Sequence, residues 1–436
     1  MNSGELILCS KDVFATTCGI AVFFIPLHRE RKEEHLSITT IHMIVLKILF
    51  WVCLAICIYT YVGYGLLLYV MVRIKRWLGG GGMPAELPED GQLPEVTFMV
   101  CAYNEQDIVD WKMQNIRELD YPQEKLHVMW VTDGSTDNTN ERLKAYEDVE
   151  VVYSAARRGK TAALNHGIGQ VKTELTVMTD ANTAVNREAL REIVRCFMDP
   201  QVGCVAGEKR VMARTKGEVA AEGEGLYWKY ESALKRLDSE LYSAMGAAGE
   251  LNAIRTQLYE PMPETALLDD FVMSMRMVQR GYKIAYTSKA YAMEYGSANL
   301  EEESKRKRRI AAGGLQSTWW LRRMLLPYPQ PLVAFQLLSH RVLRWTVTPV
   351  AMMALVPLNV SLVMMKAGTV YTVVWVLQIL FYLAALAGYL LEQNGRKSKL
   401  LYVPYYFLFM NVNVFRGMYY LRTHQGGGAW EKARRG

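Results

Sequence analysis

Acidic residues recur at three places in the middle of this 436-residue chain, each where an apolar run meets small or polar residues. Asp133 and Asp180 each end an apolar run, and Asp269 and Asp270 stand together before another. The first two runs predict buried parallel strands, whose carboxyl ends meet at one edge of a sheet, where α/β proteins bind ligands. Carboxylate oxygens are the ligands that hard divalent cations prefer. The sequence therefore predicts a nucleotide and metal site at this edge.

Apolar runs at 96–103 and 149–155 predict two further strands, and polar residues follow these as well. Tyr103 and Glu105 in VCAYNE could stack on and hydrogen-bond a base or ribose, although the motif also fits an ordinary strand-to-helix cap. Lys160 in RRGKTAALN opens a predicted helix, where an ammonium and backbone donors can face a diphosphate. The spacing is not that of a P-loop, and a solvated lysine is an equal alternative. Asn182 follows Asp180 at the alternate position, so that two oxygens could hold a cation.

A second group of motifs lies further along the chain. GAAGELNAIR, residues 246–255, places small residues where a chain or sugar could pass close to the backbone, with Arg255 available for an anion. One of Asp269 and Asp270 could act as a general base if its surroundings raise its affinity for a proton. Two acids at a helix start are also stabilised by the helix dipole alone. The basic run SKRKRRIAAGG, taken alone, is typical of a solvated or membrane-flanking cluster.

Composition indicates a membrane protein with one globular domain. Hydrophobic residues make up 51% of the chain, and the net charge of +6 comes from basic residues that gather beside apolar stretches. This distribution favours membrane-flanking charges over a nucleic-acid-binding stripe, so we expect no nucleic acid partner. The seven cysteines include no CxxC pair, which predicts neither a disulfide framework nor a zinc site.

Four apolar segments bear on the topology. Residues 48–72 are long enough to span a bilayer, and three basic residues follow at once, so the domain beyond them is expected to be cytoplasmic. Residues 346–365 and 371–391 form a second and third span. Residues 400–421 contain two asparagines and an arginine, and this segment could span, lie in the interface or re-enter.

Between these segments the pattern alternates between strand and helix, which predicts an α/β fold of three layers with a mostly parallel sheet. The predicted organisation is an unassigned N-terminal extension at 1–42, a transmembrane helix at 43–76, a Gly/Pro linker at 77–95, a cytoplasmic α/β domain at 96–300, a basic motif with interfacial helices at 301–345, a membrane region of two or three helices at 346–421, and a basic tail at 422–436.

The order of the motifs is more informative than any one of them. YNE, TDGSTD, GKTAALN, TDAN, GAAGELNAIR, LLDD, an Arg-rich motif and membrane helices follow one another. This order resembles the membrane-bound inverting glycosyltransferases of family 2, and within them the poly-N-acetylglucosamine, hyaluronan and cellulose synthase branch. The resemblance covers residues 96 to about 320. It implies a GT-A fold and a multi-pass protein of the cell (inner) membrane.

The resemblance also implies a role for each motif residue. Two of them depart from the family pattern: the second residue of the metal-binding DxD motif is Asn182, which brings no charge, and Ile310 replaces the tryptophan of the Q/R-x-x-R-W motif. The implied roles are Tyr103, Glu105 and Asp133 for the base and ribose, Lys160 for the diphosphate, Asp180 and Asn182 for Mg²⁺ or Mn²⁺, Asp270 for the catalytic base, and Asp269, Arg306 and Arg309 for the acceptor and diphosphate.

The resulting hypothesis is a membrane enzyme that transfers a sugar from a nucleotide-diphosphate sugar, most simply a UDP-sugar, to a growing polysaccharide. One alternative is the transfer of a single sugar to a lipid acceptor. Another is a non-catalytic membrane scaffold that binds a sugar nucleotide, which the two departures keep open. The expected partners are the nucleotide-sugar donor, the acceptor and the lipid bilayer, and the sequence leaves open an accessory subunit.

Overall fold

The structure is a computed structural model that describes residues 40–80, 87–212, 219–296, 300–326, 330–394 and 398–423. Most of the predicted N-terminal extension and basic tail, and part of the Gly/Pro linker, lie outside the described residues. The described chain divides into two compact units. The smaller takes its residues from Met1–Ile56 and Ala351–Leu380, and the larger from Cys57–Val350 and Phe381–Gly436.

The larger unit contains an eight-stranded mixed sheet with the strand order β3-β2-β1-β4-β7-β6-β8-β5. Four neighbouring pairs are parallel and three are antiparallel. The strands are β1 (Val96–Ala102), β2 (Leu126–Asp133), β3 (Val149–Ser154), β4 (Leu175–Asp180), β5 (Ala184–Val185), β6 (Val202–Met212), β7 (Leu251–Arg255) and β8 (Lys283–Tyr295).

The parallel half of the sheet determines where the predicted acids lie. β1 pairs in parallel with both β2 and β4, with Ala102 opposite Thr132 and Cys101 opposite Asp180. The three strands therefore end at the same edge. Asp133 and Asp180 end β2 and β4 there, as their position after the apolar runs predicted.

Helices cover both faces of the sheet. Side chains alternate along a strand, so Phe98 and Val100 contribute to one apolar core while Met99 contributes to the other. The helices are α1 (Thr40–Trp77), α2 (Val109–Arg117), α3 (Thr139–Leu143), α4 (Lys160–Ile168), α5 (Ala189–Phe197), α6 (Val219–Leu241), α7 (Asp269–Gln279), α8 (Leu300–Trp320), α9 (Pro331–Leu337), α10 (Leu343–Trp345), α11 (Val347–Met364), α12 (Thr369–Gln393) and α13 (Lys399–Thr423). Turns of π-helix at Tyr59–Gly63 and Leu338–Val342 interrupt α1 and join α9 to α10, and 3₁₀ turns lie at Asp90–Gln92, Gln123–Lys125, Thr256–Leu258 and Arg322–Leu325.

The GAAGELNAIR segment forms a strand as well as a loop. Its second half is β7, which is antiparallel to both β4 and β6. The guanidinium of Arg255 donates to the carbonyl oxygens of Val202 at 3.0 Å and Phe197 at 2.7 Å, and it pairs with Glu174 at 2.8 Å. The expectation that Arg255 is available for an anion is therefore wrong, because these groups inside the fold already take up its donors.

Three helices of the described chain, α1, α11 and α12, are long and apolar enough to cross a membrane. The fourth apolar segment forms α13, which is not among them. Its Asn411 and Asn413 are buried, and Asn413 Oδ1 accepts a hydrogen bond of 2.9 Å from the hydroxyl of Ser304 on α8. Asn413 is thus placed against the helix of the basic motif, whereas Asn411 Oδ1 accepts a hydrogen bond of 2.8 Å from the hydroxyl of Tyr61 on α1.

The smaller unit is held together by aromatic contacts. Phe50 packs edge-on against Tyr371 with 5.1 Å between ring centroids. The indole N–H of Trp51 donates to the hydroxyl of Tyr371 at 3.2 Å. One tyrosine near the start of α12 therefore contacts two aromatic residues of α1.

Gly246, in the loop beside the site, is closely packed, and Gly281, between α7 and β8, offers a matched control for it. Both have positive φ, +95° and +94°. A Cβ at Gly246 would lie 2.2 Å from the ring of buried Phe271, whereas a Cβ at Gly281 would meet nothing within 4 Å. Gly281→Ala therefore carries only the backbone penalty, about 1–2 kcal/mol. Gly246→Ala should add a packing penalty of about 1–3 kcal/mol.

Thermal unfolding of the full-length variants in detergent measures this difference. We expect a clearly lower midpoint for Gly246→Ala than for Gly281→Ala. Equal midpoints would contradict the packing of Phe271 on the Gly246 backbone.

Candidate active site

The carboxyl ends of β1, β2 and β4 open into a cavity of about 2030 Å³ within the larger unit. Strand ends, the start of α4, the start of α7 and one face of α8 contribute side chains to it. Of the residues that the sequence singled out, all but Arg255 line this cavity: Tyr103, Glu105, Asp133, Lys160, Asp180, Asn182, Asp269, Asp270, Arg306 and Arg309.

Lys160 joins two of the acidic places. Its ammonium lies 2.6 Å from Oδ1 of Asp180 and 4.0 Å from Oδ2 of Asp269. Burial alone would lower the pKa of Lys160, but the two carboxylates outweigh burial and raise it. The lysine is therefore a permanent cation between the end of β4 and the start of α7.

Asp270 is the carboxyl group best suited to accept a proton. Burial, reinforced by the negative charge of Asp269 and opposed by Lys160, raises the pKa of Asp270 to about 6. Its Oδ1 accepts a hydrogen bond of 2.8 Å from the backbone N–H of Phe271. A carboxylate with a pKa just below neutral is ionised at pH 7 and holds a captured proton more strongly than an ordinary aspartate does.

Gly249 leaves space open beside both of these groups. A Cβ at this position would lie 3.2 Å from the Lys160 ammonium and 3.5 Å from Oδ2 of Asp270. The absent side chain thus exposes the lysine and the aspartate to the same volume of the cavity. That a chain or sugar passes close to the backbone here, as the small residues of GAAGELNAIR indicated, stays a prediction.

Asp133 is buried and already has a structural partner. Its two carboxylate oxygens accept hydrogen bonds from the backbone N–H groups of Arg158, at 2.9 Å, and Gly159, at 2.6 Å. These bonds hold the loop that turns into α4 at Gly159, where φ is +98°. Asp133 therefore also positions Lys160, a function that turn chemistry in the sequence did not reveal.

The loops after β1 and β2 are tied together above the sheet edge. The backbone N–H of Asn104 donates to Ser135 Oγ at 3.1 Å, and that of Glu105 donates to Thr139 Oγ1 at 2.8 Å. The guanidinium carbon of Arg157 lies 3.8 Å from the centroid of the Tyr103 ring, a cation–π contact. Tyr103 and Arg157 thus present adjacent planar groups at the edge of the cavity.

The end of β4 offers a limited ligand set for a metal ion. Among the described residues no cluster of three or more His, Cys, Asp or Glu side chains forms a metal site. Asp180 and Asn182 supply one carboxylate and one amide oxygen. Such a set fits Mg²⁺ or Mn²⁺ that takes its remaining ligands from a diphosphate and water, because Mg²⁺ is usually bound through one or two carboxylates together with substrate phosphates.

Arg306 lies in a buried ionic network at one side of the cavity. Its guanidinium is 3.7 Å from Glu250 and 3.6 Å from Glu294, and Lys209 contacts both carboxylates. Burial would raise the pKa of Glu250, but Lys209 and Arg306 hold it well below its usual range. Arg306 therefore lines the cavity as part of a fixed ion-pair network, while Arg309 and Ile310 line it one turn further along α8.

Lys112 on α2 holds the turn after β4 in place, a role that the sequence analysis did not predict. It is fully buried, and its ammonium donates to the carbonyl oxygen of Thr183 at 2.7 Å and to Thr179 Oγ1 at 3.3 Å. Burial, partly opposed by Asp180, lowers the pKa of Lys112 to about 7. These bonds fix the turn that carries Asp180 and Asn182. Lys112 falls on the buried, otherwise apolar face of α2, and this unusual position is the signal that could have revealed it.

A second wall of the cavity is aromatic, and no local motif predicted it. It brings together residues of α1, α6 and α13, which are far apart in the sequence. These residues are Tyr61, Tyr227, Trp228, Tyr230, Tyr402, Tyr406 and Phe407.

Comparison with known proteins supports this description. Residues 94–313 match the family described as glycosyltransferase like family 2. The chain is 28% identical over 239 residues to poly-beta-1,6-N-acetyl-D-glucosamine synthase of Staphylococcus aureus, covering 51% of this chain and 55% of the relative. It is 26% identical over 242 residues to the synthase of the same name from Staphylococcus epidermidis, covering 52% and 56%. The chain therefore aligns with about half the length of these curated relatives.

Among solved structures, a mannosyltransferase from Pyrobaculum calidifontis in complex with GDP-Man and Mn²⁺ is similar with a TM-score of 0.66. The likeness covers 87% of this chain and all of that one, at 23% identity. It confirms the predicted GT-A-like α/β fold with its flanking helices.

The ionic network around Glu250 yields a stability prediction. Lys209→Met removes from Glu250 and Glu294 a shared cation whose side chain is 1% exposed, and leaves Arg306 at 3.6–3.7 Å. Removal of one partner from a buried ion pair costs about 3–5 kcal/mol. The neighbouring Arg210 pairs with Glu208 from a side chain that is 45% exposed, and such pairs contribute at most about 1 kcal/mol.

Thermal unfolding of Lys209→Met and the control Arg210→Met therefore should give a large and a small fall in midpoint, respectively. Similar falls for the two variants would show that the network does not stabilise the cavity wall.

Proposed function

Because the chain belongs to glycosyltransferase family 2, we propose that it transfers a sugar from a nucleotide-diphosphate sugar, most simply a UDP-sugar, to a growing polysaccharide. The observation that carries this proposal is the single cavity in which Asp270, with its raised pKa, lies next to the Lys160–Asp180 ion pair. A proton acceptor and a cation for a leaving diphosphate are the two groups that such a transfer requires.

The donor would bind at the carboxyl edge of the parallel strands. One part of the cavity suits a base and ribose. It is lined by the ring of Tyr103, the carboxylate of Glu105, and Asp133 with the loop that it holds. Lys160 would then meet the diphosphate, because its ammonium is fixed at the start of α4 by the Asp133 hydrogen bonds. Its positive charge stabilises the charge that develops on the departing group.

Asp180 and Asn182 would hold the metal ion, Mg²⁺ or Mn²⁺, together with oxygens of the diphosphate. When bound, the ion supplies positive charge that neutralises the leaving diphosphate. Asn182 brings no charge of its own, so the protein relies on Asp180 for the ionic part of this contact. Lys112 keeps both residues in place through the carbonyl of Thr183.

The chemical step assigned to the protein is a single displacement. Asp270 takes the proton of an acceptor hydroxyl, whose oxygen forms a bond to the anomeric carbon of the donor sugar. The bond between that carbon and the diphosphate oxygen breaks, and its electron pair leaves with the nucleoside diphosphate. Attack from the face opposite the leaving group inverts the anomeric centre. Arg306 and Arg309 on α8, with Asp269, border the path between acceptor and diphosphate.

Three observations support a polysaccharide acceptor. The cavity of about 2030 Å³ exceeds the roughly 300–1,000 Å³ of pockets for drug-sized ligands, which leaves room for an acceptor chain beside the donor. Its second wall is rich in tyrosine, whose rings combine an apolar face with a polar edge. The curated relatives are named as polysaccharide synthases.

A second candidate is the transfer of one sugar to a lipid acceptor. It is favoured by the helices from which that aromatic wall is built, since Tyr61 lies on α1, which is long and apolar enough to cross a membrane. A non-catalytic scaffold is disfavoured because Asp133, Asp180 and Asp270 are all present in one cavity.

The same reasoning extends to location. A multi-pass protein of the cell (inner) membrane would use α1, α11 and α12 as spans. Arg73, Lys75 and Arg76 near the end of α1 favour a cytoplasmic position for the domain that follows, by the positive-inside rule. A nucleotide sugar made in the cytoplasm would then reach the site directly.

Asp270→Asn tests the assigned base. Loss of a general base typically lowers turnover about a hundred- to ten-thousand-fold. Because the nucleotide contacts lie on other residues, the Kd for UDP should stay unchanged. Turnover with labelled nucleotide sugars and UDP binding are both measured on membrane-embedded protein. Asp110→Asn, which alters a carboxylate that is 62% exposed on α2, serves as the control. Near-normal turnover of Asp270→Asn would remove Asp270 from this role.

Product length distinguishes the two acceptors. Incubation of the membrane-embedded protein with a panel of labelled UDP- and GDP-sugars should give a ladder of oligomers if the acceptor is a growing polysaccharide. A single product that partitions into organic solvent would instead establish the lipid acceptor. Absence of both hydrolysis and transfer, with nucleotide binding intact, would favour the scaffold.

A further inference from the structure

Lys235 on α6 is a buried cation that the proposed mechanism does not use. Its side chain is only 5% exposed, yet it lines the same cavity as Asp270. No side chain or carbonyl in the described ranges lies within hydrogen-bonding or ion-pair distance of its ammonium. A buried ammonium without a direct ion pair or hydrogen bond is costly, because burial removes its hydration.

The nearest candidate counter-ion on the same helix is already engaged. Glu231, one turn before Lys235, is 2.6 Å from Arg341, 2.9 Å from Arg344 and 3.2 Å from His340. Burial would raise the pKa of Glu231, but its contacts, that with Arg341 first, hold it well below its usual range. Glu231 is therefore an anion whose charge three partners already share.

The wall around Lys235 consequently has an excess of positive charge. Lys235, Arg341 and Arg344 line the cavity beside Glu231, while His340 pairs on its other side with Asp238 at 2.5 Å. Asp270 and Glu250 also attract Lys235, but more weakly than Glu231 does. Burial, reinforced by the charge of Arg341, lowers the pKa of Lys235. An anion that enters the cavity would remove this imbalance.

The position of Lys235 relates this anion to the acceptor. The nucleotide and diphosphate contacts lie on the loops after β1, β2 and β4, whereas Lys235 comes from α6, the helix that also carries the aromatic residues Tyr227 and Tyr230. Asp270 lies in the cavity that joins these two walls. A group held at Lys235 therefore belongs to the molecule that supplies the attacking hydroxyl.

We propose that Lys235 binds an oxyanion of the acceptor, either the carboxylate of an acidic sugar unit or the phosphate of a lipid-linked acceptor. The contact orients the neighbouring hydroxyl toward Asp270. This inference rests on the proposed transferase function and narrows its acceptor to an anionic one.

The test compares Lys235→Met and Lys235→Arg with the wild-type full chain in lipid nanodiscs. Lys229→Met, an exposed lysine on the same helix, is the matched control. Three probes are offered: an oligosaccharide that ends in glucuronic acid, the same oligosaccharide ending in glucose, and a polyprenyl phosphate. Direct binding of each probe and its KM as acceptor are measured, together with UDP binding and the unfolding midpoint.

We expect Lys235→Met to lower the affinity for the preferred anionic probe about thirtyfold or more, the effect seen when a buried charge pair loses one partner. Lys235→Arg should retain much of the affinity, and UDP binding should not change. The neutral oligosaccharide should bind weakly to every variant. Preference for the glucuronic acid or for the phosphate probe identifies the source of the oxyanion.

Equal binding of the neutral and charged oligosaccharides, or equal affinity of the wild type and Lys235→Met for both anions, would overturn the inference. If the wild-type protein transfers sugar but shows either of these binding results, the proposed function stands and only the role of Lys235 is refuted. A wild-type protein that binds an anionic probe through Lys235 but transfers no sugar would instead refute the transferase proposal.

Discussion

The charge balance at the carboxyl edge of the sheet is the constraint on which the rest of the site depends. One ammonium, that of Lys160, lies 2.6 Å from Asp180 and 4.0 Å from Asp269. Asp133 fixes that ammonium indirectly, by accepting the backbone N–H of Gly159 just before α4 begins. Lys160 is shared among several carboxylates. At Asp270, burial and the negative charge of Asp269 therefore outweigh the attraction of Lys160, and the pKa of Asp270 is raised. A proton acceptor and a fixed cation therefore arise from one arrangement.

Charge balance also governs the walls of the cavity. Buried charges are tolerated when they are paired and hydrogen-bonded. Lys209 and Arg306 neutralise Glu250 and Glu294 on one side, and Arg341 and Arg344 neutralise Glu231 on the other. Lys235 departs from this rule within the described chain. That departure is informative because Glu231, the acid one turn away on the same helix, already has its partners.

Sequence patterns predicted the parts of the fold that depend on local periodicity. The apolar runs before Ala102, Asp133 and Asp180 identified three parallel strands, and parallel pairing then required the two acids to meet. β7 was missed because its short run directly follows a stretch of small residues and pairs antiparallel between two strands distant in the sequence. Arg255, which ends β7, donates to the carbonyls of Phe197 at the end of α5 and Val202 at the start of β6, which no local pattern reveals.

In the candidate site, too, local patterns predicted some features, whereas contacts between distant parts of the chain were not predictable. Motif order brought together the ten residues that line the cavity, whereas their partners were not predictable. Lys112 supports the β4 turn from the buried face of α2, and the aromatic wall is assembled from helices separated by more than a hundred residues. Such contacts depend on tertiary packing. Residue type alone gave Asp133 a ligand role, and only the folded loop reveals that it also holds Lys160 in place.

The pH dependence of kcat/KM tests the central claim most directly, since that claim is that crowded carboxylates prepare Asp270 to accept a proton. With saturating metal ion and a nucleotide-sugar donor, kcat/KM should fall about tenfold per pH unit on the acid side. The midpoint should lie near pH 6, the raised pKa of Asp270, because the protonated carboxyl cannot accept a second proton. A kcat/KM that stays constant from about pH 8 down to about pH 5 would contradict the account.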